Sequence, residues 1–366
     1  MDHAELMRRR LSTVGLGAPL EAEGPAGVVA WFGAVQSQDY HSAKWGVGQR
    51  LAGTVTDAGL DQAFADGELL RTHVLRPTWH FVTPADIRWL LGLTAPRVHQ
   101  LNAYYNRQSE LDEPLLRRAA DLIAAALSGG NHLTRTEVAA ELERHGIVAE
   151  RFRLGYILIY AELEQVICSG PLHGRQHTYA LLDERAPAAD PLDRDEALAR
   201  LATRFFTSHG PATVKDLSWW SSLTLTDLKA GIAAAGDALE SIDVDGVTYW
   251  CAAGAFDAVP SHVDETAVHL LQPYDEYLVG YSESKPLLDL SGVVAGTRLD
   301  SAANGVLLLG TQVAGRWKRT LRSGEVALDV GLYEPFHDAV TPGLQAAADA
   351  HGAFVERSAT VAVSLL

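Results

Sequence analysis

Helical patterns followed by a strand pair occur three times along this chain of 366 residues, and that recurrence restricts its fold more than any single motif. In the first pass an apolar, helix-like stretch over 26–35 meets a polar break at Gln36-Ser37-Gln38-Asp39. A second stretch covers 45–51, and a capped helix starts near Thr56. The β-branched and aromatic run 72–82 then predicts strands, and Thr83-Pro84 opens a helix to about residue 93. The second pass predicts a helix from Pro114 to 127, a Gly129-Gly130-Asn131 turn, and a short helix opened by Thr134-Arg135-Thr136-Glu137. In that sequence the Thr and Glu side chains can satisfy each other's orphan backbone donors. A longer apolar helix over 152–167 follows, and Gly170, Gly174 and the run 178–182 predict a hairpin wing. After the Pro-containing linker 186–191 the third pass has a helix over 193–208, a second capping box at Thr213-Val214-Lys215-Asp216, and a short helix over 217–222. A Thr224-capped helix then leads to a hairpin over 239–250 with an Asp245-Gly246 turn. A spacing of roughly 80–100 residues is not a solenoid period.

The last hundred residues break the pattern, with strand-like stretches at 267–271, 305–312, 315–321 and 326–331, a turn at Val313-Ala314, and a helix over 342–351. The predicted architecture is α+β and mainly α. Three tandem winged-helix units over 1–110, 111–188 and 189–260 are followed by a small C-terminal α+β region with a β-hairpin over 261–366, together forming a concave cleft.

Composition sets the outer limits. With 47% hydrophobic and 21% charged residues the chain has ample material for packed cores, which excludes wholesale disorder. Its two cysteines, Cys168 and Cys251, are isolated from each other and indicate neither a disulfide framework nor a thiolate zinc site. No apolar run approaches the roughly 20 residues of a membrane span, so a cytoplasmic, membrane-free protein is expected. The net charge of −16 argues at first against a nucleic-acid partner, whose phosphates supply much of the affinity in such complexes. The distribution qualifies this: most of the excess acid lies in the second half. There, Arg316-Trp317-Lys318-Arg319-Thr320-Leu321-Arg322 sets four cations within seven residues, either a local positive tip or a solvated strand end.

Candidate site residues follow from local chemistry. The two helices best placed to enter a major groove, 155–166 and its counterpart in the third unit, are apolar or acidic. Groove reading by them is not expected. Gln36 and Gln38 sit in the most polar run embedded in apolar surroundings, and two carboxamides at i and i+2 can aim their carbonyls at one water. A polar helix terminus has the same look. Near them in sequence are Lys44, Arg71, His73, Arg76 and Trp79, a mix suited to phosphate contact and base stacking and equally to a half-buried strand pair. Asp275 and Glu276, as neighbours on a strand, would point to opposite faces and play structural parts. No metal-ligand spacing, nucleotide-binding glycine loop or hydrolase elbow occurs, so neither a metal nor a nucleotide cofactor is expected.

Taken together, the runs Val35-Gln36-Ser37-Gln38-Asp39-Tyr40 with Ala43-Lys44-Trp45, Leu70-Arg71-Thr72-His73 through Val82, His209-Gly210-Pro211-Ala212-Thr213 with Ser218-Trp219-Trp220, and Pro273-Tyr274-Asp275-Glu276-Tyr277 resemble the AlkZ-type bacterial DNA glycosylases over nearly the whole chain. The resemblance implies excision of alkylated bases from duplex DNA, N7-alkylguanine among them and in some members interstrand crosslinks; nothing in the sequence demands a dimer, and a monomer is expected. The family's catalytic Gln-aliphatic-Gln or Asp pattern falls on Gln36 and Gln38, with Ser37 standing where an aliphatic residue is usual. Its DNA-contacting β-hairpin corresponds to 305–321, which brings in Arg316, Lys318 and Arg319. Two other readings of the chain are a non-catalytic winged-helix DNA-binding protein, acting as regulator or lesion sink, and an acidic protein-interaction scaffold.

Overall fold

The computed structural model describes residues 1–53, 55–257, 264–294 and 304–366. Among the described residues, four small sheets are set among helices. The first is three-stranded, in the order β1 (Val35–Gln36), β3 (Thr78–Val82), β2 (Leu70–Val74). The second has β4 (Leu133–Thr134), β6 (Thr178–Leu181) and β5 (Ile167–Ser169) in that order, and the third is the hairpin β7 (Leu239–Val244) and β8 (Val247–Ala252). The last sheet has five strands in the order β13 (Ser358–Leu365), β12 (Glu325–Leu332), β11 (Gln312–Arg322), β10 (Gly305–Leu309), β9 (Val268–Leu271).

Local sequence rules account for many of these elements. Thr134 and Glu137 form a reciprocal capping box at the head of the helix Arg135–Arg144, as Thr213 and Asp216 do for Val214–Ser221. Asp245 and Gly246, both at positive φ, make the two-residue turn between β7 and β8. Other expectations need correction. The helix predicted to end near residue 93 runs over Ile87–Gln108 with Pro96 inside it. The helix predicted over 152–167 ends at Leu163, and Ile167 already belongs to β5. The turn expected at Val313-Ala314 lies at Gly310-Thr311, because Leu309 pairs with Gln312 and Gly310, at φ 56°, takes the left-handed position. Asp275-Glu276 is not on a strand: Asp275 caps the short helix Glu276–Val279.

Packing does not follow chain order. The N-terminal helices His3–Thr13 and Gly24–Phe32 share one core with the five-stranded sheet and its covering helix Thr341–Phe354. In that core the Trp45 indole N–H donates to the Leu270 carbonyl at 2.6 Å. A second core joins β2 and the helix Ile87–Gln108 to the helices Arg194–His209, Val214–Ser221 and Leu225–Ala235, and a third lies inside residues 111–181. The first core reaches β1 at Val35, and Arg71 of β2 spans from Ser37, just after β1, to Ser169 of β5. Among the described residues, no helix is long and apolar enough to cross a membrane.

Candidate active site

The chain leaves the helix Gly24–Phe32 and enters β1, which runs antiparallel to β3 with Val35 opposite Phe81 and Gln36 opposite His80. The Ser37 N–H continues the ladder to the Trp79 carbonyl at 2.8 Å. There the ladder stops. The Ser37 carbonyl, which would normally accept from Trp79, accepts instead from the Arg71 guanidinium, with Nη2 at 2.9 Å. The Trp79 N–H turns to the side-chain carbonyl of Gln38 at 3.2 Å. The strand therefore splays at Ser37, and the Gln38 carboxamide replaces a backbone acceptor.

β1 is an edge strand, so the backbone groups of Gln36 face away from β3. Two residues of the C-terminal segment meet them. Glu276 Oε1 accepts the Gln36 N–H at 2.7 Å, and Gln272 Nε2 approaches the Gln36 carbonyl at 3.4 Å. The Gln36 side-chain carbonyl accepts from Arg76 Nη2 at 2.8 Å. Arg76 comes from the β2–β3 turn and lies over the half-exposed Trp219 ring, 5.4 Å from its centroid. Both site carboxamides thus have their oxygens fixed by one donor each. Because a carbonyl oxygen has two lone pairs, each retains room for a second donor. Gln36 is almost buried and Gln38 is exposed.

The row formed by Gln36, His80 and Thr72 crosses all three strands on one face of the sheet. His80 is fully buried, and its Nδ1 lies 2.9 Å from the Thr78 carbonyl. Burial, reinforced by the Arg76 charge, holds its pKa down to about 3, so the ring is neutral. On the opposite face Trp79 packs against both Arg71, 4.3 Å from its ring centroid, and His73, at 4.0 Å between centroids.

Next to Gln38 a recess of about 450 Å³ is lined by Asp39, His41, Arg175, Lys318, Arg319 and Arg357, among others. Its cations come from three separate places: the loop between β5 and β6, strand β11, and the segment just before β13. Burial lowers the Arg319 pKa, with Asp57 and Asp39 opposing the shift. Asp39 caps the helix Tyr40–Gly48 by accepting from the Ser42 N–H.

Several of the residues singled out in the sequence lie behind the site or turn away from the recess. Lys44 is 1% exposed, and its Nζ lies 2.8 Å from Asp61 and 2.9 Å from Asp57, so it faces protein rather than a duplex. Arg71 is buried behind Ser37, and its backbone N–H donates to Ser169 Oγ at 2.7 Å. Burial also brings its pKa down to about 10. His73 is buried, with Nδ1 against the Glu162 carboxylate. These three shape the site from behind. Arg316 Nε donates to the Tyr333 hydroxyl at 2.9 Å on the other side of β11 from Arg319. Arg175, Arg357 and Glu276 were not expected. The two arginines are isolated in sequence, and Glu276 lies 240 residues from its partner Gln36.

The sequence model of the family described as DNA glycosylase AlkZ-like matches residues 29–354. This chain belongs to the AlkZ-like DNA glycosylase family. Among solved structures, the Streptomyces sahachiroi DNA glycosylase AlkZ superposes with a TM-score of 0.79 over 100% of both chains at 22% identity. That likeness establishes a shared AlkZ fold. No curated protein matches the sequence. Membership of the AlkZ-like family carries with it DNA as the substrate polymer and the N-glycosidic bond as the point of attack.

Proposed function

We propose that the chain is a monofunctional glycosylase that hydrolyses the N-glycosidic bond of alkylated purines of the N7-alkylguanine type, with a water positioned by Gln36 and Gln38. One observation carries this reading. Two carboxamide carbonyls are pinned at the splayed end of β1, by Arg76 and by the Trp79 N–H, beside a recess with four cationic side chains.

The chemistry suits neutral amides. An N7-alkylated guanine already carries positive charge and departs as a neutral base, so no strong general acid is required. The transition state is oxocarbenium-like at the sugar. Gln36 and Gln38 orient the attacking water through their free lone pairs and turn their dipoles toward the sugar cation. Arg175, Lys318, Arg319 and Arg357 then supply phosphate contacts that set the register of the duplex.

The helix-then-hairpin order supports three tandem winged-helix units over 1–110, 111–188 and 189–260 with a C-terminal region over 261–366, framing a concave DNA-binding cleft. An open cleft suits bulky or interstrand-crosslinked lesions, which cannot be drawn into a tight pocket as flipped bases ordinarily are.

The test is release of N7-methylguanine from methylated duplex DNA, leaving an abasic site that breaks only on alkali treatment. Gln36→Ala with Gln38→Ala should abolish release while DNA binding persists. Undiminished release by the double variant removes these residues from the mechanism. Binding with no release by the natural protein makes it a non-catalytic DNA binder, and absence of salt-sensitive binding makes it a scaffold.

A further inference from the structure

We infer that Glu276 is a positioning residue for this site, fixing the backbone of Gln36 and placing a buried carboxylate charge directly behind the Gln36 peptide; the inference rests on the function proposed above. Glu276 is 1% exposed and is held by three donors: the Gln36 N–H at 2.7 Å on Oε1, and Trp220 Nε1 at 2.9 Å and His209 Nε2 at 3.2 Å on Oε2. Each oxygen thus serves a different part of the molecule. One holds the edge strand that carries Gln36, and the other holds the helices Arg194–His209 and Val214–Ser221. The His209 ring is itself fixed, with Nδ1 2.9 Å from Ser208 Oγ and its face stacked on Phe205 at 4.5 Å.

A single unpaired N–H on an edge strand needs only a neutral acceptor. The carboxylate buried in its place carries a desolvation penalty that a glutamine would avoid, and it is tied as well to the His209 ring and the Trp220 indole, so it joins the Gln36 backbone to both helices. Here burial alone would raise the Glu276 pKa, and the His209 contact and the Gln36 N–H more than offset it, keeping the group ionised. The proposed reaction develops positive charge at the sugar next to Gln36, whose own side chain is neutral. An anion behind the Gln36 peptide lies where it stabilises that cation, in surroundings that screen it poorly. The same anion attracts Arg76, which binds the Gln36 side-chain carbonyl. Gln36 is therefore held between an anion at its backbone N–H and a cation at its side-chain oxygen.

The experiment compares the natural protein, Gln36→Ala, Glu276→Gln and Trp220→Phe in single-turnover release of N7-methylguanine, alongside DNA affinity and amide hydrogen exchange at Gln36. Glu276→Gln keeps the volume and an acceptor while removing the charge. Trp220→Phe keeps the buried ring and removes one donor, so it reports even where the first variant does not fold. Expected results are a 10- to 100-fold slower release for Glu276→Gln and a 3- to 10-fold slower release for Trp220→Phe, with DNA affinity changed less than twofold. Release at the natural rate in both variants, or a loss of affinity that matches the loss of release, overturns the inference. If the natural protein releases no base, the functional reading fails, and exchange at Gln36 still decides the positioning role. Faster exchange in either variant supports it, and unchanged exchange overturns it.

Discussion

Arg50 grips Asp275 with both arms of its guanidinium, Nη2 to Oδ1 at 2.6 Å and Nη1 to Oδ2 at 2.9 Å, with both side chains almost wholly excluded from solvent. Arg50 follows the helix that begins just after Gln38, and Asp275 caps the short helix that begins with Glu276. The pair therefore fastens the two chain segments whose side chains meet at Gln36. Asp275→Asn or Arg50→Met leaves a buried charge without its partner and should cost about 3–5 kcal/mol of folding stability. Replacing both, as Arg50→Met with Asp275→Leu, should recover much of that loss, because no charge is then left stranded. Urea unfolding of the three variants checks this.

Lys44 and Arg319 make opposite predictions about DNA. The Lys44 ammonium is held by Asp57 and Asp61, so Lys44→Met should lower stability by about 1–3 kcal/mol and leave the salt dependence of DNA binding as it is. Arg319 lines the recess beside Gln38. If it neutralises one phosphate, Arg319→Gln should reduce the slope of log affinity against log salt by about 0.9. Binding titrations between low and moderate salt distinguish the two.

His351 is fully buried, neither ring nitrogen has a hydrogen-bond partner among the described residues, and Trp45 and Trp317 pack edge-on against it with centroids at 4.8 and 5.2 Å. Burial holds its pKa down to about 3, helped by Arg319. Between that value and the ordinary histidine range near 6.5 the unfolded chain binds a proton that the folded chain refuses, so stability falls as the pH drops through this window. His177 and His269, each held down to about 4 mainly by burial, act in the same direction. His351→Leu should raise stability at pH 5 relative to the natural chain and flatten the fall by up to about 1.4 kcal/mol per pH unit. Urea unfolding at pH 5, 6 and 7 measures both effects.

How much of this was readable in the sequence depended on the range of the interaction. Thr134 with Glu137, Thr213 with Asp216, and the Asp245-Gly246 turn are set by neighbours within three residues, and all three are formed. β13 has no decisive local signal, because its strand identity comes from parallel pairing with β12, after the intervening helix Thr341–Phe354. The β2–β3 hairpin was legible, but whether Arg71 faces DNA or protein was not. Its inward turn is decided by the Ser37 carbonyl, released when the ladder splays, and by Ser169 from the second sheet. The sequence around Glu276 suggests a strand, and nothing local tells that its oxygen meets an edge-strand amide far earlier in the chain. Short-range capping and turn chemistry is written in adjacent residues, whereas a site assembled from sheet edges is written only in their packing.

Arg76 offers the sharpest test of whether the side chains near Gln36 bind DNA or arrange the carboxamide. Its Nη2 donates to Gln36 Oε1 at 2.8 Å, the guanidinium lies over Trp219, and Nε has no hydrogen-bond partner among the described residues. A phosphate-binding arginine would give up affinity when removed, and the salt slope would fall with it. A positioning arginine would give up rate instead, because an unheld Gln36 samples orientations that do not present its oxygen to the water. Arg76→Met should therefore slow single-turnover release by about 10- to 100-fold, the scale of a misplaced catalytic group, with DNA affinity and salt slope nearly unchanged. Trp219→Ala, which removes the surface under the guanidinium and leaves its hydrogen bond, should give a smaller loss of rate. Preserved release with collapsed affinity in Arg76→Met would return Arg76 to the DNA-contacting role that its place in the sequence first implied.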